Sequence, residues 1–434
     1  MVFMIARPAM FRGVLFCVLL IWLSGCVPTA STPQQDSTQL PNATNEQVTL
    51  VLWHGWGGTD QLVLNRLVDR FNELHPQGRV LPQAMPLATL SGDLRTAVAA
   101  GSGPHIVLLP NSWIGSLANS GILYQLDQLI STSERDVLLP STIGGAQAPD
   151  REGTTRLYGL PISYDTLALY YNSANLLVAP ETTADLINSA HGLSDPNAPR
   201  WGLALNLSVD NTIGYLYAFG GRVFDQQGQL VLGSEGQAGT EQWLDWLQTL
   251  NEDPLLYAQV GNSIAVDRNI KNGQVLITFG WAHQLPVYRS LWRDHLGVAP
   301  LPRLSETGAA PQPYVKSDVL AVNARVGTSE LNAALEFLRF MIEVDAQRDL
   351  LEANLQPARQ DLSLNGDESY LVAARAFRQQ AEQGLPFPNS TSRTLVEDEL
   401  RIMVERVLMQ QNSPSDAVYE ADERLREKLK LPKP

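Results

Sequence analysis

Cysteine is nearly absent from this 434-residue chain: there are two, Cys17 and Cys26, both near its start. Everything downstream lacks a disulfide framework, so stability has to come from size and packing, for which about 409 residues after Gly25 are ample. Histidine is sparse too. The six present include no pair four residues apart and no HExxH, so no zinc site is read. GxSxG is missing, and no cysteine beyond Cys26 offers a nucleophile. Positive charge is in deficit, with 31 Lys and Arg against 45 Asp and Glu, a net of −14. An acidic field disfavours phosphate approach, which argues against a nucleic-acid partner. After Cys26 no apolar run has the roughly 20 residues that a membrane-spanning helix needs. No internal repeat is evident.

What is present begins with a targeting segment. Arg7 and Arg12 precede an apolar run of 11 residues at 13–23, too short to span a bilayer but ordinary for a signal peptide. Leu23-Ser24-Gly25-Cys26 follows and resembles the lipobox of bacterial lipoproteins, whose cysteine is acylated as the leader is removed. Residues 1–25 are therefore expected to be a signal peptide and Cys26 a lipid anchor, firm only with two or more acyl chains. Without Arg7 and Arg12, 29 basic residues face 45 acidic ones, a net of −16. The stretch 27–46, with Pro28, Ser31, Thr32, Pro33 and Pro41, has the composition of a flexible tether.

The body alternates strand and helix patterns. A β-prone run at 48–53 leads through Gly55-Trp56-Gly57-Gly58 into an amphipathic stretch with Leu64, Leu67, Val68 and Phe71, ended by His75-Pro76. The all-apolar run 106–109 does not alternate, which predicts a strand covered on both faces. Further strands are expected at 275–279 and 319–322, with a helix from 329 to about 343. This order predicts an α/β layer architecture of two or three units.

Four loops carry candidate ligand contacts. Trp56 and Gly58 follow the first strand, where glycine admits close approach of the backbone and an indole can lie against a ligand. No Lys-Ser/Thr follows, so this is not a phosphate loop. Asn111, Ser112 and Trp113 follow the strand at 106–109, and their polar groups suit hydroxyl-rich ligands. Asp165 either accepts ligand hydroxyls or caps the next segment. Trp281 ends an apolar strand, placed either to stack on a sugar ring or to pack between domains. His54 and Trp53 read as structural, and Trp243 and Trp246 as a core stripe. Carboxylates are numerous enough to conceal a glycosidase pair, whose separation in space is not legible in a sequence. No cofactor is implied.

At these residues the chain resembles the extracellular solute-binding proteins that feed sugars to ABC transporters, the family of the maltose-binding protein. The resemblance covers about 46–360. It rests on Val51-Leu52-Trp53-His54-Gly55-Trp56-Gly57-Gly58, Phe71-Asn72-Glu73-Leu74-His75-Pro76, Gly103-Pro104-His105-Ile106-Val107, the block from Tyr158 to Asn172, and Ala333-Ala334-Leu335-Glu336-Phe337-Leu338. It implies two discontinuous α/β lobes joined by hinge strands that close like a clamp, as in periplasmic binding proteins. By that analogy lobe one is 46–163 plus 296–345, and lobe two is 164–295 plus 346–434. Trp56, Asn111 to Trp113, Asp165 and Trp281 fall where the family places sugar contacts. The implied partners are a carbohydrate ligand, the membrane permease of an importer and, through acylated Cys26, the bilayer; a monomer is expected. His105 departs from the family's usual aspartate, and no tryptophan follows Trp292, which weakens maltodextrin more than sugar in general. A surface-anchored carbohydrate-active enzyme and a binder of a non-sugar solute such as a polyol phosphate remain alternatives.

Overall fold

The computed structural model describes residues 47–225, 227–260 and 263–432. Cys26, the signal peptide and the tether lie outside them. Among the described residues fourteen strands follow in chain order: β1 Val48–His54, β2 Gly78–Ala84, β3 Ile106–Pro110, β4 Gln147–Pro149, β5 Thr155–Leu157, β6 Gly159–Asp165 and β7 Leu167–Asn172. The others are β8 Trp201–Asn206, β9 Tyr257–Gln259, β10 Val275–Trp281, β11 Leu296–Ala299, β12 Tyr314–Val322, β13 Gln356–Pro357 and β14 Leu385–Pro386. They form one sheet in the order β13-β6-β12-β3-β1-β2, with β14 added to β12, and a second in the order β11-β7-β10-β8-β9. β4 and β5 make a separate hairpin.

Each sheet is the centre of one lobe. In the first, β1 runs parallel to β2 and β3, and β3 is buried along Ile106 to Leu109, as its unalternating sequence predicts. The helix Gly58–Leu74 turns Val63, Leu64, Leu67, Val68 and Phe71 onto this sheet and stops at His75, whose N–H still bonds Phe71 O. Each such leucine withdrawn from water contributes roughly 1.5–3 kcal/mol before chain entropy is charged against it. In the second lobe β10 is buried throughout, between antiparallel β7 and parallel β8. Trp243 is fully buried there and Trp246 packs against the same core, so their three-residue spacing is a core stripe as expected.

The chain passes between the sheets more than once. β6 belongs to the first sheet and β7 to the second, with Thr166 alone between them, and the Thr166 hydroxyl donates to Tyr314 O at the start of β12. The expected lobe limits need correction here. Tyr164 and Asp165 still pair with β12 in the first sheet, so the crossing follows Asp165. β11 pairs with β7 in the second sheet, so the return to the first lobe comes after Ala299 and not at 296. It also extends beyond 345: β13 pairs with β6, and Asp349 in the helix Val344–Glu352 bonds Arg70 of the first lobe at 2.8 Å. Edge strands this short carry little sequence pattern, so their sheet membership is decided by pairing. The helices Arg393–Leu408 and Pro414–Leu429 complete the second core with Leu400, Met403, Val418 and Leu425.

Candidate functional site

Topology brings polar residues to one rim. β12 is antiparallel to β3 and to β6, so its first residues lie beside the carboxyl ends of both, with Asp318 opposite Pro110 and Ser163, and Lys316 opposite Asp165. In the second sheet, antiparallel pairing sets Leu167 of β7 against Trp281 at the carboxyl end of β10. Since only Thr166 separates Asp165 from Leu167, the two rims meet. Loops beyond strand carboxyl ends are where open α/β sheets bind ligands.

Trp56 stands half-buried in the loop before the helix Gly58–Leu74, and Gly58 opens that helix at φ 57, a conformation that favours glycine. Ser163 Oγ donates to Asp318 Oδ2 at 3.0 Å, and the Trp56 indole, a second donor nearby, also favours the charged form of that carboxylate. Burial nevertheless pushes the Asp318 carboxyl up to about 6, against the pull of those two donors and with help from the charges of Asp165 and Asp60. Burial also raises Asp60, opposed by His283. Asp165 takes both donors of His283, its backbone N–H at 3.2 Å and Nδ1 at 2.7 Å. That bond to Asp165 raises the imidazole above its ordinary value, although burial works against it.

Trp281 is 8 % exposed and its indole N–H donates to Asn211 Oδ1 at 3.0 Å. Its ring is covered by Lys316, whose ammonium lies 3.8 Å from the ring centroid, 2.8 Å from Asp210 Oδ2 and 5.0 Å from the Phe387 ring. Arg393 approaches the same Phe387 ring at 5.4 Å and pairs with Glu397 at 2.5 Å. Arg393 and Glu397 line a cavity of about 440 Å³ with Tyr217, Phe224 and Tyr314. A smaller cavity of about 190 Å³, with Asn206, Asn211, Asp267 and Gln284 on its walls, adjoins Trp281. A further depression of about 700 Å³ is an open groove of the first lobe lined by Tyr124, Gln125 and Arg156 and contains none of the expected contacts.

Of the residues singled out in the sequence, Trp56 lies by Asp318, Asp165 bonds His283, and Trp281 is covered by Lys316. Ser112 and Trp113 are half-buried, Trp113 packing against the first core, and Gly58 is exposed. Asn111 is corrected to a structural role. It is buried, its Nδ2 donates to Phe387 O at 2.9 Å, and its Oδ1 accepts from Ser317 N at 3.2 Å, so its amide secures the main chain. His54 is buried and the Trp53 indole bonds Gln83, both structural as expected. Lys316, Asp318, His283 and Asp210 were not anticipated. Lys316 and Asp318 stand two apart in a strand otherwise rich in buried residues, hence on one face, and that alternation was the available signal.

Two lobes, repeated passages of the chain between them and a polar, aromatic rim where they meet define a clamp-type binding protein. The chain belongs to the bacterial extracellular solute-binding proteins, whose family model matches residues 66–374. It is 25% identical over 300 residues to the maltotriose-binding protein of Pyrococcus abyssi, covering 67% of this chain and 62% of that one. The chain thus spans somewhat less than two thirds of that relative. Over 342 residues it is 23% identical to the maltooligosaccharide ABC transporter solute-binding lipoprotein of Streptococcus pneumoniae strain R6, covering 76% and 78% of the two chains. The crystal structure of a cyclo/maltodextrin-binding protein complexed with maltotetraose superposes with a TM-score of 0.76 at 21% identity, over 91% of this chain and all of that one, and shares its fold. This is a family of binding proteins and not of enzymes.

Proposed function

We propose that this protein is the lipid-anchored, sugar-binding component of an ABC importer, closing its lobes on a saccharide and presenting it to a membrane permease. The reading is supported most by Trp56, Asp165 and Trp281 coming from three separate segments to strand ends at the rims of the two sheets, beside Asp318, His283 and Lys316 respectively. Aromatic faces beside fixed carboxylates and amides suit a neutral ligand with apolar C–H faces and many hydroxyls. Lys316 and Arg393 are each balanced by a carboxylate, which disfavours a phosphate beside them. Carboxylates do line the rim, but Asp165 and Asp318 are both held by donors from the protein, and the family is not catalytic. Ligand bridging both lobes favours the closed state by its affinity difference between closed and open forms, which a permease can read. Acylation of Cys26 holds the receptor at the membrane surface, outside the cytoplasm, and the tether gives a monomer reach.

The relatives make maltooligosaccharides the first ligands to test. Titration calorimetry with maltose, maltotriose and longer glucans, beside mass spectrometry of ligand carried through native purification, should show a bound saccharide. Trp56→Ala should weaken that binding by roughly 1–3 kcal/mol, about 5- to 150-fold, the scale of one buried aromatic contact. A co-purifying non-sugar solute, with no heat from any saccharide, would reject the proposal.

A further inference from the structure

We propose that Lys316 and Asp210 form a donor–acceptor pair that reads a vicinal diol of the ligand, and that this pair sets specificity where an open Trp281 ring would otherwise stack. The inference deepens the sugar-binding reading and rests on it. Three observations support it.

Trp281 is not an open platform. The ring belongs to the second core, its N–H is taken by Asn211, and the ammonium of Lys316 sits 3.8 Å from its centroid. A sugar face reaches that ring only by displacing a cation that is also held by Asp210 at 2.8 Å and lies near Phe387. Both the ion pair and the cation–π contact oppose that displacement.

The pair itself is accessible. The side chains of Lys316 and Asp210 are 33% and 38% exposed, whereas Trp281 is 8% exposed. An ammonium has three N–H donors, of which Asp210 uses one. Asp210 gives Oδ2 to Lys316, and Oδ1 is the acceptor it offers a ligand. It stands in the first turn of the helix Val209–Ala218, where the helix dipole favours a carboxylate.

The chemistry selects a neutral diol. One hydroxyl accepts from Lys316 while its neighbour donates to Asp210, and the ion pair between them stays intact. A phosphate in the same place would gain from Lys316 but meet the charge of Asp210. Since β12 sets Lys316 opposite Asp165 at the crossing between the lobes, a diol held there also touches the hinge.

The test uses the whole protein, titrated calorimetrically with the saccharide that the wild type binds. Lys316→Met keeps the stem over the two rings, and Asp210→Asn keeps the shape of the acceptor. Each should weaken binding by about ten- to thirty-fold, as expected for one lost hydrogen bond to a charged group. The double variant should be little worse than either alone, because each member acts through the other. Deoxy analogues lacking the recognised hydroxyl should lose affinity for the wild type and not for Lys316→Met. Thermal unfolding of every variant controls for the fold. Unchanged or tighter binding by a folded Lys316→Met, or tighter binding of a phosphorylated sugar than of its neutral parent, would overturn the inference while leaving sugar binding intact. Absence of saccharide binding by the wild type would overturn the reading beneath it.

Discussion

Asp318→Asn should make the ligand-free protein more stable by about 3 kcal/mol at pH 7.5 and remove much of its loss of stability between about pH 4 and 6. The reason is electrostatic. In the folded chain burial pushes this carboxyl from its ordinary 3.8 up to about 6. Below the ordinary value the group is protonated in both states and contributes no difference. As pH rises, the unfolded chain ionises first, the folded chain holds the extra proton, and stability falls until the folded carboxyl has ionised too. Above that point the cost is constant, and an amide does not incur it. The hydroxyl of Ser163 still finds an acceptor in the asparagine oxygen, and repulsion from Asp165 and Asp60 is relieved. Urea unfolding from pH 4 to 8 measures the effect: the two proteins should lie close near pH 4, diverge between about 4 and 6, and keep a constant difference above that. Equal stability at pH 7.5 would mean that Asp318 is well satisfied as a carboxylate. A charge kept at such a cost in the rim of the cleft fits a group retained for ligand recognition, and the same variant should lose affinity as it gains stability.

Glu399→Ala should cost about 3 kcal/mol or more, the low end of what breaking a buried ion pair costs. Glu399 has no exposed side-chain surface in the helix Arg393–Leu408, and it receives Arg424 Nε at 2.6 Å and Lys428 Nζ at 2.5 Å from the helix Pro414–Leu429. Burial alone would raise its carboxyl, but hydrogen bonds from the two cations outweigh burial and hold it below 4.5. The sign is therefore opposite to that of Asp318: this stability is present above the ordinary carboxylate value and is lost as pH falls through the folded one. Removing Glu399 leaves Lys428 without its carboxylate and Arg424 with Glu420 as its remaining partner, beside a void. Partial exposure of Arg424 and Lys428 lets solvent screen them, which is why the low end of the range is expected. Thermal and urea unfolding measure the loss, and a cost below about 1 kcal/mol would place the pair among ordinary surface ion pairs. The same helix carries Arg393 and Glu397 on the wall of the 440 Å³ cavity, so loosening it should also weaken ligand binding.

Much of the site was legible as separate parts. Trp56 beside three glycines, Asp165 after an apolar run and Trp281 at a strand exit each follow from local rules, because glycine placement and the ends of apolar runs are properties of a few neighbouring residues. Their partners were not legible in the same way. Lys316 sits 35 residues from Trp281 and 106 from Asp210, and nothing in its neighbourhood says which ring or carboxylate it will meet. Asn111 shows the converse error: an amide in an exposed-looking turn became a buried tie between Phe387 and Ser317, partners more than 200 residues away.

By itself the sequence pointed to an α/β protein without a disulfide framework, with strands at 48–53, 106–109 and 275–279, tryptophans at loop ends and the expectation of an export signal ahead of Cys26. Those conclusions need only composition, periodicity and short-range sterics. Tertiary structure alone decided that β11 joins the second sheet, that β13 returns to the first, and that Lys316 covers Trp281 while Asp318 is driven toward its protonated form. Strand pairing, burial and the field at a carboxylate depend on which distant segments are brought within a few ångströms, and that is settled only when the whole chain has folded.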